Sequence, residues 1–209
     1  MKKKLDKLKE MLKLNKKMLV FLLGLSIIAI ATGAIFVTIL SKTDQELVKD
    51  YIAKFLTNID SNKLDYLAAF KNSFISNLIF IISIWLLGIS VVGIPIMLFM
   101  YFTKAFIIGF SISNIILNYK LKGCLLSLAY IFPHQIINLF IYILLIIYAF
   151  AFSLRIIDAI FKKKTIDFKF IVNKYLIVLA ICMLGILLTT LIEVFVTPVI
   201  IKTILPLIK

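Results

Sequence analysis

The stretch Trp85-Leu-Leu-Gly-Ile-Ser-Val-Val-Gly-Ile-Pro95 runs on through an apolar segment to Phe102 and then into Thr103-Lys-Ala-Phe-Ile-Ile-Gly109. It holds the only tryptophan, three of the seven glycines, one of the four prolines and one lysine flanked by oily residues. A run this apolar, punctuated by helix-bending residues, belongs in lipid rather than in a soluble core. The whole chain agrees. Its 63% apolar residues and mean hydropathy of +1.11 exceed the soluble range, in which about half the residues are apolar. Runs of about 20 apolar residues, enough to cross a bilayer, recur along its length. The expectation is an all-α polytopic membrane bundle, 1–209 as one integral membrane domain. It has about five transmembrane helices, some kinked or broken, plus amphipathic surface helices.

Before the quoted stretch, residues 1–17 carry eight lysines against Asp6 and Glu10, with Leu5, Leu8 and Met11 at helical spacing. This predicts a basic cytoplasmic amphipathic helix that sets topology by the positive-inside rule. Residues 18–40 form the first crossing. Ala29-Ile-Ala31 has the small-x-small form of a signal-peptide cleavage site, but the apolar run continues to Leu40, as in a retained anchor. Residues 41–77 are the one solvated loop, with five lysines balancing five acids, which suits the extracytoplasmic side. Within it Thr43-x-x-Glu46 is a capping box opening an amphipathic helix, Asn58–Asn62 breaks that helix, and a second short one follows.

The second crossing is assigned to 78–102, its apolar run beginning at Phe74, with Gly88, Gly93 and Pro95 as packing and kink positions. Lys104 then marks a cytoplasmic turn. Residues 105–118 are too short for an untilted crossing and form a thin span or half of a re-entrant pair. Ala105-x-x-x-Gly109 is a small-residue packing face. Residues 121–154 are too long for one crossing, and Pro133 is expected to divide them. A basic cytoplasmic loop at 155–174, a fifth crossing at 175–196 and an extracytoplasmic tail at 197–209 complete the chain. Alternation puts fifteen basic residues inside and nine outside, with the N-terminus cytoplasmic and the C-terminus extracytoplasmic.

The charge of +14 does not mark a nucleic-acid binder. The lysines gather at membrane edges and the aromatics, mostly Phe, lie inside the spans, so an anionic bilayer is the natural partner. One histidine and two isolated cysteines give no metal ligand set and no relay, so no catalytic residue, metal or cofactor is expected. The intramembrane polar candidates are Lys104, His134, Gln135, Asn138 and Glu193. A carboxylate at Glu193 is costly in lipid unless it is neutral, paired or near water, and His134, Lys120 and Lys122 share its expected depth.

The ordered set Trp85–Pro95, Lys104–Phe110, Leu125-Leu-Ser-Leu128, Pro133-His134 and Ile192-Glu-Val-Phe-Val-Thr-Pro198 resembles the stage II sporulation protein M family over essentially the whole chain. Ala105 departs from it, since many relatives carry glycine after the lysine. The resemblance implies a non-enzymatic scaffold at the sporulation septum, needed for forespore engulfment. Its implied partners are membrane-anchored peptidoglycan hydrolases resembling stage II sporulation proteins D and P. The competing reading from the residues is a small transporter or channel using Glu193 and His134, since broken helices in mid-membrane build substrate sites.

Overall fold

The computed structural model describes residues 2–61, 63–162 and 168–208; the side chains of 2–15, 132, 160–162, 207 and 208 are outside the description. Among the described residues the chain is entirely helical apart from short turns. α1 spans Lys2–Ile39, α2 Lys42–Asp60, α3 Tyr66–Leu87, α4 Gly93–Lys162 and α5 Phe168–Leu191; a π-helical turn, Ile192–Val196, leads into α6, Thr197–Ile208. Five segments are long and apolar enough to cross a membrane. The amphipathic face expected over 1–17 lies outside the described side chains, although the backbone is helical from Lys2 onward.

Local chemistry sets these boundaries. Ser41 caps α2: its hydroxyl accepts from the Asp44 amide at 3.2 Å and donates to the Asp44 carboxylate at 2.6 Å. The capping pair is therefore Ser41 with Asp44, and the Thr43–Glu46 box is not used, because Thr43 is already inside the helix. Asp65 caps α3 through the Ala68 amide. What was expected as a second loop helix is thus the first part of a crossing.

This moves the second span. It is Tyr66–Leu87, about 33 Å of helix, and not 78–102. The chain turns at 88–92 through Ile89 N to Leu86 O, Ser90 N to Leu87 O and Gly93 N to Ser90 O. Pro95 is the third residue of α4, where backbone N–H groups lack intrahelical partners anyway, so it starts a helix instead of kinking one. Gly93 is needed because a Cβ there would meet the Leu87 carbonyl. Lys104 consequently lies eleven residues inside α4 and is not a turn. Residues 105–118 complete a full crossing, neither thin nor re-entrant.

α4 folds on itself at Lys120, the one described non-glycine with positive φ (φ 52°, ψ −134°). It has two arms, 93–119 and 121–162, closely opposed beside the tip: a Cβ on Gly123 would lie 2.9 Å from the Ile116 Cα. Helix continues through Pro133, so the expected division there does not occur; the reversal is thirteen residues earlier. Lys120 sits in a backbone region that glycine occupies without penalty. Lys120→Gly is expected to stabilise the protein by about 1 kcal/mol, measured as a higher melting temperature in detergent. An unchanged or lower value would show that the hairpin stores no strain there.

Three further boundaries shift. The loop at 155–174 is helix on both sides, and only 163–167 lie outside the described residues. The fifth span does not end at Val196, and the segment 197–209 is α6 through Ile208. Ile201 and Leu205 of α6 are buried against Leu56 and Ile59 of α2 and against both arms of α4.

The bundle alternates. Tyr101 reaches Ser26 and Leu22, while Phe106 and Phe110 pack on Phe36, so α1 and the first arm of α4 run parallel. Asn77 meets Tyr142 and Gly88 abuts Ala149, so α3 runs parallel to the second arm. α5 opposes both: Tyr175 meets Trp85 and Phe152, and Glu193 meets Ser73 and His134. Glycine permits the α1–α4 crossing. A Cβ on Gly33 would lie 2.9 Å from the Phe106 carbonyl carbon, and one on Gly109 would lie 2.8 Å from the Ile30 Cα. Ala105, fully buried, lies one turn below Gly109 on the same face.

Two apolar cores are stacked along the bundle. One joins Ile81, Ile84, Met97, Tyr101, Leu145 and Ile186; the other joins Leu56, Ile108, Ile115, Leu126 and Ile201. Between them each long helix changes composition.

Candidate functional site: a polar layer between two apolar cores

Along the first arm of α4, Lys104 falls between Tyr101 of one core and Ile108 of the other. Along the second arm, His134 and Asn138 fall between Ile131 and Tyr142; along the last crossing, Thr189 and Glu193 fall between Ile186 and Ile201. α3 adds Ser73 and Asn77, just ahead of Phe80. Four segments thus place their polar residues at one depth range.

Glu193 is the centre of this layer. Its Oε2 accepts from Ser73 Oγ at 2.5 Å, and its Oε1 stands 4.0 Å from His134 Nε2. The latter is too long for a hydrogen bond, so it is an ionic contact whose strength depends on the imidazole being protonated. Of the partners that depth alone allowed, His134 is the one beside Glu193. The network extends from Ser73 to Asn77 Nδ2 at 3.5 Å, and from Asn77 Oδ1 to the Tyr142 hydroxyl at 2.9 Å. In parallel, Thr189 donates to Asn138 Oδ1 at 2.5 Å. Each of these inter-residue links, apart from Ser73–Asn77, ties one helix to another, which is how polar groups hold transmembrane helices together.

The π-helical turn gives Glu193 its setting. Pro198 has no N–H to continue the ladder, and the Thr197 amide and hydroxyl both bond to the Ile192 carbonyl, the hydroxyl at 3.2 Å. The widened turn carries Glu193, which is 26% exposed, facing His134, which is 1% exposed. α6 continues beyond, so Glu193 is not at the far edge of its helix.

Lys104 is the second charge. Its ammonium lies 4.9 Å from the centroid of the Phe80 ring, in the same layer as Glu193. With Gly33 against Phe106 and Gly109 against Ile30, Lys104 is level with about residue 28 of α1, roughly 18 Å from Lys16 by helix rise. This is near mid-membrane, where an ionisable group is expensive.

The remaining candidates divide. Gln135 is half-buried outside the network, and His134 Nδ1 and Asn138 Nδ2 are buried without partners among the described residues. Gly88 lies against the Tyr175 hydroxyl and Ala149. Ser127 donates to the Cys124 carbonyl at 2.9 Å, and Thr189 is committed to Asn138. No group of three or more His, Cys, Asp or Glu side chains suited to a metal occurs among the described residues. The arrangement can hold charge and brace helices.

Ser73, Asn77, Tyr142 and Thr189 were not candidates from sequence. Ser73 and Asn77 fall in the segment expected as loop, although their four-residue spacing beside Ile and Phe is a helical polar stripe. Thr189 and Tyr142 carry no sequence signal that separates them from ordinary span residues.

A protein-family model described as "Stage II sporulation protein M" matches residues 18–198, which takes in most of every crossing and the whole polar layer. No curated protein and no solved structure matches.

Proposed function

The chain belongs to the stage II sporulation protein M family and is a sporulation-related multipass membrane protein, and we propose on that premise that it is a non-enzymatic scaffold for forespore engulfment. In this reading it gathers peptidoglycan-degrading partners, resembling stage II sporulation proteins D and P, at the septal membrane. The observation that carries it is the family match across the bundle; the charge pattern and α2 add to it.

In the sequence, eight lysines in 1–17 and six basic residues in 155–174 flank the ends of α1, α4 and α5 that lie on one side of the bundle; the ends on the other side are flanked by five lysines in 42–71, Lys120, Lys122 and Lys202. The positive-inside rule then puts the N-terminus in the cytoplasm and α2 outside, on the side where wall hydrolases act. α2 buries Leu56 and Ile59 against the bundle but leaves Leu47 and Tyr51 64% and 80% exposed. Those two are the side chains we assign to partner contact.

In sporulating cells, Leu47→Asp/Tyr51→Asp is expected to leave the protein inserted and stable while delocalising the wall hydrolases and stalling engulfment. Normal engulfment in a full deletion, with no hydrolase co-purifying with the wild type, would overturn the scaffold reading. The buried His134, with the half-buried Glu193 and Lys104, favours one competing function, solute passage. Flux into proteoliposomes that disappears in Glu193→Gln would establish it in place of the scaffold.

A further inference from the structure

We propose that a notch between the second arm of α4 and the start of α5 binds the phosphate of an anionic phospholipid headgroup, with Arg155 and Lys174 as its ligands. The notch has a volume of about 50 Å³, and Tyr148, Phe152, Arg155, Ile171, Lys174 and Tyr175 are among its lining residues. It lies away from the Glu193 layer and is independent of the scaffold reading.

Its depth is the first reason. The Tyr175 hydroxyl donates to the Trp85 carbonyl at 2.8 Å, near the end of α3, and Gly88 packs against the same hydroxyl. The notch is therefore level with the turn at 88–92, where a crossing ends. Trp85, Tyr148 and Tyr175 gather at this level, as aromatic side chains do where hydrocarbon meets headgroups. Helix continues seven residues past Arg155 and begins six residues before Lys174, so both walls project about 10 Å beyond the notch.

The chemistry is the second reason. Two basic side chains from different helices line a small cleft, and basic pockets between transmembrane helices suit lipid phosphates. Lys174 is positioned, its ammonium 5.6 Å from the centroid of the Tyr148 ring. Arg155 already has a partner, but its five N–H donors let it keep that partner and bind a phosphate oxygen together. The acid nearest it in sequence, Asp158, lies one turn further along the arm. The remaining lining is apolar and aromatic, and Leu176 and Ile177 just beyond are exposed toward lipid, a surface suited to acyl chains. A free phosphate would use the cations alone; a lipid uses both halves.

The test is retention of lipid by the full-length protein, purified in a neutral detergent and titrated with dioleoylphosphatidylglycerol, dioleoylphosphatidylcholine or inorganic phosphate. Native mass spectrometry and thermal shift are the readouts. Phosphatidylglycerol is expected to be retained and to raise the melting temperature, and Arg155→Gln/Lys174→Gln to weaken its retention about tenfold or more. Lys2→Gln/Lys3→Gln/Lys4→Gln, which alters the other basic segment on this side, should retain it like the wild type. Should the double variant fail to fold, Lys174→Gln, at an exposed position, carries the comparison with a several-fold loss. Equal retention by wild type and notch variants overturns the proposal. So does a thermal shift produced equally by inorganic phosphate or by phosphatidylcholine.

Discussion

Gly33→Val and Gly109→Val are each expected to unseat α1 from the bundle, lowering stability by about 3 kcal/mol or more, at the upper end of overpacking effects. The two glycines form one crossing between parallel helices, and a Cβ on either would run into the other helix's backbone at Phe106 or Ile30. Backbone cannot step aside like the end of a flexible side chain, so the helices must separate. Separation also exposes the buried Tyr101–Ser26 hydrogen bond and loosens Phe36 from Phe106 and Phe110. Because both substitutions force the same separation, the double variant should cost clearly less than the sum. Gly24 provides the control: nothing stands within 4 Å of a Cβ there, so Gly24→Ala should be neutral or slightly stabilising. Unfolding titrations in mixed micelles read all four. Near-wild-type stability of Gly109→Val would show that the crossing is not a tight contact in the membrane.

Glu193→Ala is expected to cost about 3 kcal/mol, and adding Lys104→Met should recover most of it. Removing the carboxylate takes the acid out of a layer that also holds the half-buried Lys104 beside the Phe80 ring, and leaves Ser73 without its acceptor. Breaking one side of a buried charge arrangement is expensive because the other charge stays buried, whereas removing both is often nearly neutral. Lys104→Met alone should therefore be mild. Glu193→Gln separates the contributions, since it keeps an acceptor for Ser73 but loses the charge. Double-mutant cycles in the same micelles give the coupling. If the Glu193 and Lys104 effects simply add, the two charges do not sustain one another. If Glu193→Gln and Glu193→Ala lose stability and activity equally, Glu193 is a packing residue.

Membrane character, helical class and five crossings were legible in the chain, because about 20 apolar residues in a row admit few other solutions. Span boundaries were harder. Pro95 and Pro133 carry the same residue type, yet one begins a helix and the other sits inside one, so proline alone does not place a break. Lys104 looked like a membrane-edge residue because lysine usually is one. Only the turn at 88–92, closed by ordinary backbone hydrogen bonds among Leu86 to Gly93, shows it to be eleven residues deep. Ser73 and Asn77 were hidden for the converse reason: polar residues near a loop look solvated until Asp65 is seen to cap the helix that contains them.

By itself, the sequence determined that this protein lives in a bilayer as a helical bundle, since the transfer free energy of each span is a sum over its own residues. The order of its landmarks also carried the family resemblance. The tertiary structure alone decided that Ser73, Lys104, His134, Asn138, Thr189 and Glu193 share one layer. It also decided that the hairpin reverses at Lys120 and that the Trp85–Gly109 stretch contains a turn between two crossings. Those outcomes depend on helix direction, rotation and the 4 Å contacts between residues up to 120 positions apart. No local propensity encodes such contacts.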